Sequence, residues 1–388
     1  MPSQTTIRVT DPYGAFLFET AAFLEIGNSP GLRYVLNCGK VGAMTVTLPP
    51  EFNERLPKDG RIHIMRSVNG AAAIREGGSC FLIRAWEYAE DYTTVTALHA
   101  NDLMRRRHSL WAAETANSEQ DSLWTEFAMA NVWDQNFAGS ITSDRAYDTT
   151  AGTGNSTQAD ISAFVTRDSE RETGPAVALF YPWQNILDVM QSLSENSLEG
   201  GTFLVTEITC PTESTLHLRF FAGQRGQDRR LSTGSGLLFA AARGNLDNAI
   251  MTVDATEEIT VVQAGGADRD VFSGSDAGLS NRIAADTARM GESPFGRIEA
   301  FVDSGNATDL AMILADAASV LRSGIPRITA VGDLVETDQC IRGIDFDYGD
   351  YVTVQVRGVQ YNMRLNILEV TLTASGERTV ARFEYNGQ

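Results

Sequence analysis

Residues 344–385 constrain the fold more than any other stretch. From Phe346 they read FDYGDYVTVQVRG, then YNMRLNILEVTLT, then ASGE and RTVARFEY. These are three alternating runs rich in β-branched residues, parted by turns that contain glycine. Strand side chains point to opposite faces in turn, so such runs predict an antiparallel meander. Within Tyr351–Val356, Val352, Val354 and Val356 fall on one face, and Thr353 and Gln355 on the other. A closing sheet with no module behind it is expected of a building block rather than of an enzyme with an appended catalytic domain.

Residues 1–107 carry the same texture. Arg33–Leu36, Ala43–Leu48, Arg61–Arg66, Phe81–Tyr88 and Tyr92–Ala97 are short strand-like runs. Pro49-Pro50, Lys58-Asp59-Gly60, Asn69-Gly70 and Gly77-Gly78 divide them. Strands at this spacing predict a small barrel or sandwich, and closure removes exposed edges.

After Arg107 the pattern turns helical. Leu123, Trp124, Phe127 and Ala128 recur at helical spacing, and Gly139–Gln158 reads as a polar surface loop. Trp183, Ile186, Leu187, Met190 and Leu193 mark one face of an amphipathic helix, with Pro182 in its first turn and Gly200-Gly201 at its end. A hairpin follows, Phe203–Ile208 and Leu216–Phe221. Residues 237–264 read as strands, Asp268–Ser293 as a loop and Arg297–Val302 as a strand. Thr308 is placed to cap a helix with apolar positions Leu310, Ile313, Leu314, Ala317, Val320 and Leu321, stopped by Gly324 and Pro326. This strand–helix unit interrupts a second β module, Leu237–Ala264 plus Ile344–Tyr385. The expected fold class is α+β and multi-domain.

Little in the chain points to catalysis. The four histidines (His63, His99, His108, His217) form no HExxH pairing, and His63 and His217 sit in alternating strands. The four cysteines (Cys38, Cys80, Cys210, Cys340) match neither a zinc nor a dithiol spacing. With no leader visible in MPSQTTIRVTD, they imply synthesis in a reducing cytoplasm. Asp268, Asp270, Asp345, Asp347 and Asp350 are the densest carboxylates; D-x-D-x-x-D lacks the rest of a calcium loop and reads as a solvated edge or a subunit contact. Arg105, Arg106, Arg107, Arg225, Arg229 and Arg230 are read as partners for acids on a neighbouring subunit, because the net charge of -19 opposes a phosphate-binding role. There is no GxSxG, and no GK[ST] follows Gly265-Gly266. Trp111, Trp133 and Tyr147 are candidate glycan-binding aromatics. No apolar run approaches the ~20 residues of a membrane helix, so no stable membrane insertion is expected.

The order of several segments carries a resemblance. PWQNILDVMQSLSENS (Pro182–Ser197) precedes LHLRFFAGQRGQDRR (Leu216–Arg230) and LLFAAARGNLDNAIMTVD (Leu237–Asp254); VVQAGGADRD (Val261–Asp270) and GDYVTVQV follow. VLNCGKVGAMTVTLPP and LHANDLMRRR fit at the N-terminal end. In this order the chain resembles the tail-tip, or baseplate, hub proteins of bacteriophages with long non-contractile tails. The resemblance implies two small antiparallel β-barrel modules similar to tail-tube subunits, with α/β domains between them. The corresponding division is 1–107, 108–236 and 237–388, the last interrupted at about 270–343. It implies a virion protein at the tail tip, assembled in the host cytoplasm as a homotrimer that closes the tube and opens for DNA ejection. The implied partners are the distal tail protein, the tape-measure protein and tip or fibre proteins, with genome DNA passing unbound. No catalytic residue, cofactor or metal is expected. The alternatives are a tail-associated cell-wall hydrolase or peptidase, and a receptor- or glycan-binding tail protein.

Overall fold

The computed structural model of the chain describes residues 3–78, 80–109, 123–137, 161–177, 184–233, 236–265, 283–304 and 310–385. Eight strands come first: β1 (Ser3–Thr10), β2 (Phe16–Thr20), β3 (Leu32–Asn37), β4 (Ala43–Leu48), β5 (Arg61–Val68), β6 (Ile74–Arg75), β7 (Phe81–Tyr88) and β8 (Thr93–His99). A mixed region follows: α1 (Asp102–Arg105), β9 (Leu123–Trp124), α2 (Thr125–Phe137), β10 (Val165–Arg167), β11 (Ala176–Val177), α3 (Ile186–Glu199), β12 (Leu204–Thr209) and β13 (Leu216–Ala222). Next are β14 (Asp228–Arg229), β15 (Leu238–Ala240), β16 (Leu246–Asp254), β17 (Val261–Gly265), β18 (Ile283–Ala285), α4 (Thr287–Met290), β19 (Glu299–Asp303) and α5 (Leu310–Ser323). The chain returns through β20 (Arg327–Leu334), β21 (Tyr351–Val356), β22 (Val359–Thr373) and β23 (Gly376–Tyr385).

The closing meander forms as the alternation requires. β21, β22 and β23 pair antiparallel in sequence order, and Val352 and Val354 are buried. Its neighbour is less expected. β22 also pairs antiparallel with β3, from Ile367 opposite Asn37 to Leu372 opposite Leu32. The first and last β zones are therefore one sheet, with the order β16-β20-β23-β22-β3-β4-β8-β7-β5-β1-β2. Among the described residues this path is open and closes no barrel. Pairing β3 with β22 hides the edge that each half would otherwise expose, so neither half has to close on itself. A single buried cluster runs through both, from Ile7, Tyr34 and Val46 to Leu368, Val370 and Phe383.

Two smaller units pack beside the sheet. In one, α2 and α3 cover the three-stranded sheet β10-β13-β12, burying Trp133, Phe137, Ile186, Met190, Leu193, Ile208 and Phe220. In the other, Ile313 and Ala317 of α5 pack on Val262 and Ala264 of the sheet β18-β17-β19.

Several local expectations shift. α3 begins at Ile186, capped by the Asn185 side chain, which accepts from Leu187 N. It thus starts beyond Pro182 and Trp183, which lie outside the described residues, as do Thr308 and Gly139–Gln158. An Asx cap satisfies an orphan N–H that proline could only avoid donating. Within Asp268–Ser293, residues 283–290 are ordered as β18 and α4. Asp286 caps α4 by accepting from Ala288 N and Arg289 N, so this acidic residue starts an element rather than filling a loop. Finally, β20 lies in the main sheet between β16 and β23.

Candidate functional site

The parts of the chain meet around the turn at residues 76–78. Glu76 is buried beneath the main sheet with Tyr34 and Arg342. Its carboxylate accepts from Tyr34 Oη and lies 2.5 Å from Arg342 Nε. Arg342 also reaches Glu377 Oε1 (2.5 Å) and Thr379 Oγ1 (2.5 Å) of β23. Arg66 of β5 donates to Arg342 O (2.9 Å) and Glu336 Oε2 (2.5 Å). Burial opposes the Arg342 charge, but Glu76 and Glu377 outweigh it and its pKa is raised.

A second knot lies one residue along. Arg225 Nε donates to Glu207 Oε2 and Nη2 to Glu207 Oε1, both at 2.9 Å. Nη2 also donates to Gly77 O (2.9 Å) and Nη1 to Tyr348 O (3.0 Å). The guanidinium stacks 3.4 Å from the Tyr348 ring centre, and Tyr348 Oη donates to Glu207. Gly349 adopts φ +85, and a Cβ there would lie 2.6 Å from Arg225 Cδ. A planar fork satisfied on every side in this way is the setting in which arginine tolerates burial.

These contacts correct the expected subunit-facing arginines. Arg225, Arg229 and Arg230 pair within the chain, with Glu207, Asp350 and Asp228. Arg105 and Arg106 pair with Asp102, while Arg107 bonds Asn136 O and stacks on Phe137. The nearest acids are local because the turn and hairpin geometry brings them there, which charge counting does not register. The carboxylates are corrected too. Asp345 lies in a turn and Asp347 just before the next one rather than on a strand, and Asp350, directly after the Tyr348-Gly349 turn, is a buried anchor. Asp350 accepts from Gln227 N (2.6 Å), Asp347 N (2.9 Å) and Arg229 Nε (3.0 Å). Asp345 accepts from Ile341 N (2.8 Å). Asp268, Asp270, Trp111 and Tyr147 lie outside the described residues, and Trp133 is fully buried rather than free for a glycan.

The histidines divide. His108 makes a strand bridge to Asn185. His99 is buried 3.9 Å from Glu207, and burial lowers its pKa despite that carboxylate. His217 stands on the half-covered face of β13, with Nδ1 2.6 Å from Thr166 Oγ1 and Nε2 2.8 Å from Asp168 Oδ1. Thr–His–Asp has the composition of a nucleophile relay, and sequence spacing did not reveal it. The geometry does not complete one. Asp168 also accepts from Phe220 N (3.1 Å) and lies 3.7 Å from Arg219 Nε. No oxyanion donors converge on Thr166 among the described residues. A cleft of about 200 Å³ lined by Asp254, Glu257, Glu258, Ser323 and Arg327 is polar and shares no residue with these groups.

His63 departs furthest from the sequence reading. It is fully buried in β5, and its ring meets Cys80 at the start of β7 and Cys210 after β12. The three ligand atoms lie within 4.8 Å of one another, with Cys210 Sγ 3.8 Å from His63 Nδ1. The cysteines are far apart in sequence, so only the packing of the middle unit against the main sheet joins them.

No protein-family model matches the chain, and no curated protein matches it by sequence. Solved structures do match. A tail protein from Neisseria meningitidis superposes with a TM-score of 0.55 at 12% identity, covering 100% of this chain and 98% of that one. The prophage tail protein gp18 from Listeria monocytogenes gives 0.52 at 12% identity, covering 98% and 95%. The chain has the fold of phage tail proteins. A 43 kDa tail protein of prophage MuSo2 from Shewanella oneidensis agrees, with a TM-score of 0.54 at 10% identity over 97% and 98% of the two chains. The likeness spans both β zones and the units between them, so the whole arrangement is a phage-tail fold.

Proposed function

We propose that this chain is a structural protein of a phage virion, a hub at the tail tip that closes the tube as a homotrimer and opens for DNA ejection. The observation that carries the reading is the full-length phage-tail fold, in which both β zones are woven into one sheet through β3 and β22. Two tube-like modules per chain, residues 1–107 and residues 237–264 with 344–388, would give a trimer six similar faces with which to meet a sixfold tube. Superposing the two zones tests that similarity, and unrelated strand orders would count against it. The proposed partners are the distal tail protein, the tape-measure protein and tip or fibre proteins.

The chain in this reading has no enzymatic role. The Thr166–His217–Asp168 contact is a surface polar cluster, and Asp168→Asn should leave no hydrolytic assay changed. Specific cell-wall or peptide turnover abolished by that substitution would overturn the structural reading. Part of the net charge of -19 faces the channel, where carboxylates keep phosphate from sticking over a Debye length of ~8–10 Å. Native mass spectrometry of the purified chain and cryo-electron microscopy of the virion test the proposal together. A trimer at the tube's distal end, with an acid-lined lumen, is expected. A monomer absent from the tail tip would refute it.

A further inference from the structure

The turn at residues 76–78 carries one more group that the structural role does not use. His63, Cys80 and Cys210 are each wholly inaccessible, and His63 turns Nδ1 towards Cys210 Sγ at 3.8 Å. The backbone around the thiols is fixed. Cys210 N donates to Gly78 O (2.8 Å), Ala100 N donates to Cys80 O (3.0 Å), and Arg75 donates to Cys210 O.

We propose that His63, Cys80 and Cys210 bind a single soft d¹⁰ metal ion, Zn²⁺ or Cu⁺, which clamps the middle unit to the main sheet. Two thiolates and one imidazole are the donors such ions select. A metal held at ~2.3 Å by sulfur and ~2.0–2.1 Å by nitrogen sets those two atoms about 3.6–3.8 Å apart. The separation of Cys210 Sγ from His63 Nδ1 is 3.8 Å. The third donor lies within 4.8 Å of both, so a small contraction completes a three-coordinate site. Cu⁺ needs no further ligand in this arrangement, while Zn²⁺ takes a fourth from outside the triad.

Binding requires both thiols to lose their protons to solvent. Cys210 Sγ donates to Thr212 O at 2.9 Å, a hydrogen bond that deprotonation ends.

The test uses the full-length chain, reduced and stripped with a chelator. Zn²⁺ and, under anaerobic conditions, Cu⁺ are titrated in against chromophoric competitors, with Co²⁺ as a spectroscopic stand-in for Zn²⁺. One ion per chain, proton release, and a thiolate-to-cobalt charge-transfer band are expected. Cys80→Ser and Cys210→Ser should lose the band, and Cys38→Ser and Cys340→Ser should keep it. Because the first two variants bear on packing, X-ray absorption of the unmutated metal-loaded protein provides an independent reading. A shell of two sulfurs and one nitrogen supports the site. Failure of both ions to bind at one per chain, a shell of light atoms only, or loss of the band in Cys38→Ser would overturn it.

Discussion

Arg225→Met should be among the most damaging single substitutions in this chain, and its damage should fade in acid. The change keeps the length and apolar stem but leaves the Glu207 carboxylate, fully buried, without its bidentate partner. Breaking a buried pair from one side costs ~3–5 kcal/mol. The double substitution Arg225→Met with Glu207→Leu removes the stranded charge. It should cost less, ~1–3 kcal/mol, for Tyr348 Oη, Tyr348 O and Gly77 O left unpaired. The sign of the pH effect follows from the shift of Glu207. Burial would raise its pKa, but Arg225 holds it below the ordinary 4.5. In the natural chain its contribution is thus present above about 4.5 and lost as pH falls through the folded value. In the variant, burial is opposed only by His99 and the Tyr348 hydroxyl, the weaker of the groups that lower the pKa, and the folded pKa rises above the unfolded one. The variant therefore gains stability relative to the natural chain as pH drops from 8 towards 5, the proton settling on Glu207 or on His99, 3.9 Å away. Urea melts of the four proteins of the cycle at several pH values measure this. A single-variant loss below about 1 kcal/mol, or one independent of pH, would refute the stranded-charge argument.

Three further outcomes are expected. Gly226→Ala places a Cβ 2.0 Å from Asp350 Oδ1 and 2.9 Å from its Cα, where the anchor cannot retreat, so a lower urea midpoint corresponding to ~1–3 kcal/mol is expected. Asn185→Ala removes the α3 cap and should cost ~1 kcal/mol, with faster amide exchange confined to the first turn; an unchanged rate there would reject the cap assignment. Asp347 is pushed up to about 7 by burial and by Glu76 and Asp350, against Arg225. Its proton thus favours the fold at low pH, and this contribution fades as pH rises from the unfolded value through about 7. Asp347→Asn should stabilise the chain on the order of 1 kcal/mol at pH 8 and not at pH 4, and equal effects at both would count against it.

The knots suggest how a phage-tail fold persists at 10–12% identity to the solved tail proteins. Each unit buries its own apolar cluster, and charged side chains lock the units together at one turn. A buried guanidinium held by several carboxylates and carbonyls disfavours any other register, so such knots fix the mutual placement of units that apolar packing alone leaves free to slide.

The sequence by itself determined the elements whose period is local. The valines of β21, the meander through β23 and the apolar face of α3 are written in side-chain alternation or helical spacing, because each strand or helix must hide one face. It also carried the order of segments on which the phage-tail resemblance rests. It missed β1, whose polar-looking run SQTTIRVT is a strand only because β5 supplies a partner along its length, and β2, which pairs on the other edge of β1. Joining the two β zones through β3 and β22, and bringing His63 to Cys80 and Cys210, were decisions of the tertiary structure alone. So was the pairing of Arg225 with Glu207 and of Arg229 with Asp350 inside the chain. These contacts link residues far apart in the chain, and their stability depends on what surrounds them once water is excluded. Periodicity records which face of an element is buried; it does not record against which other element.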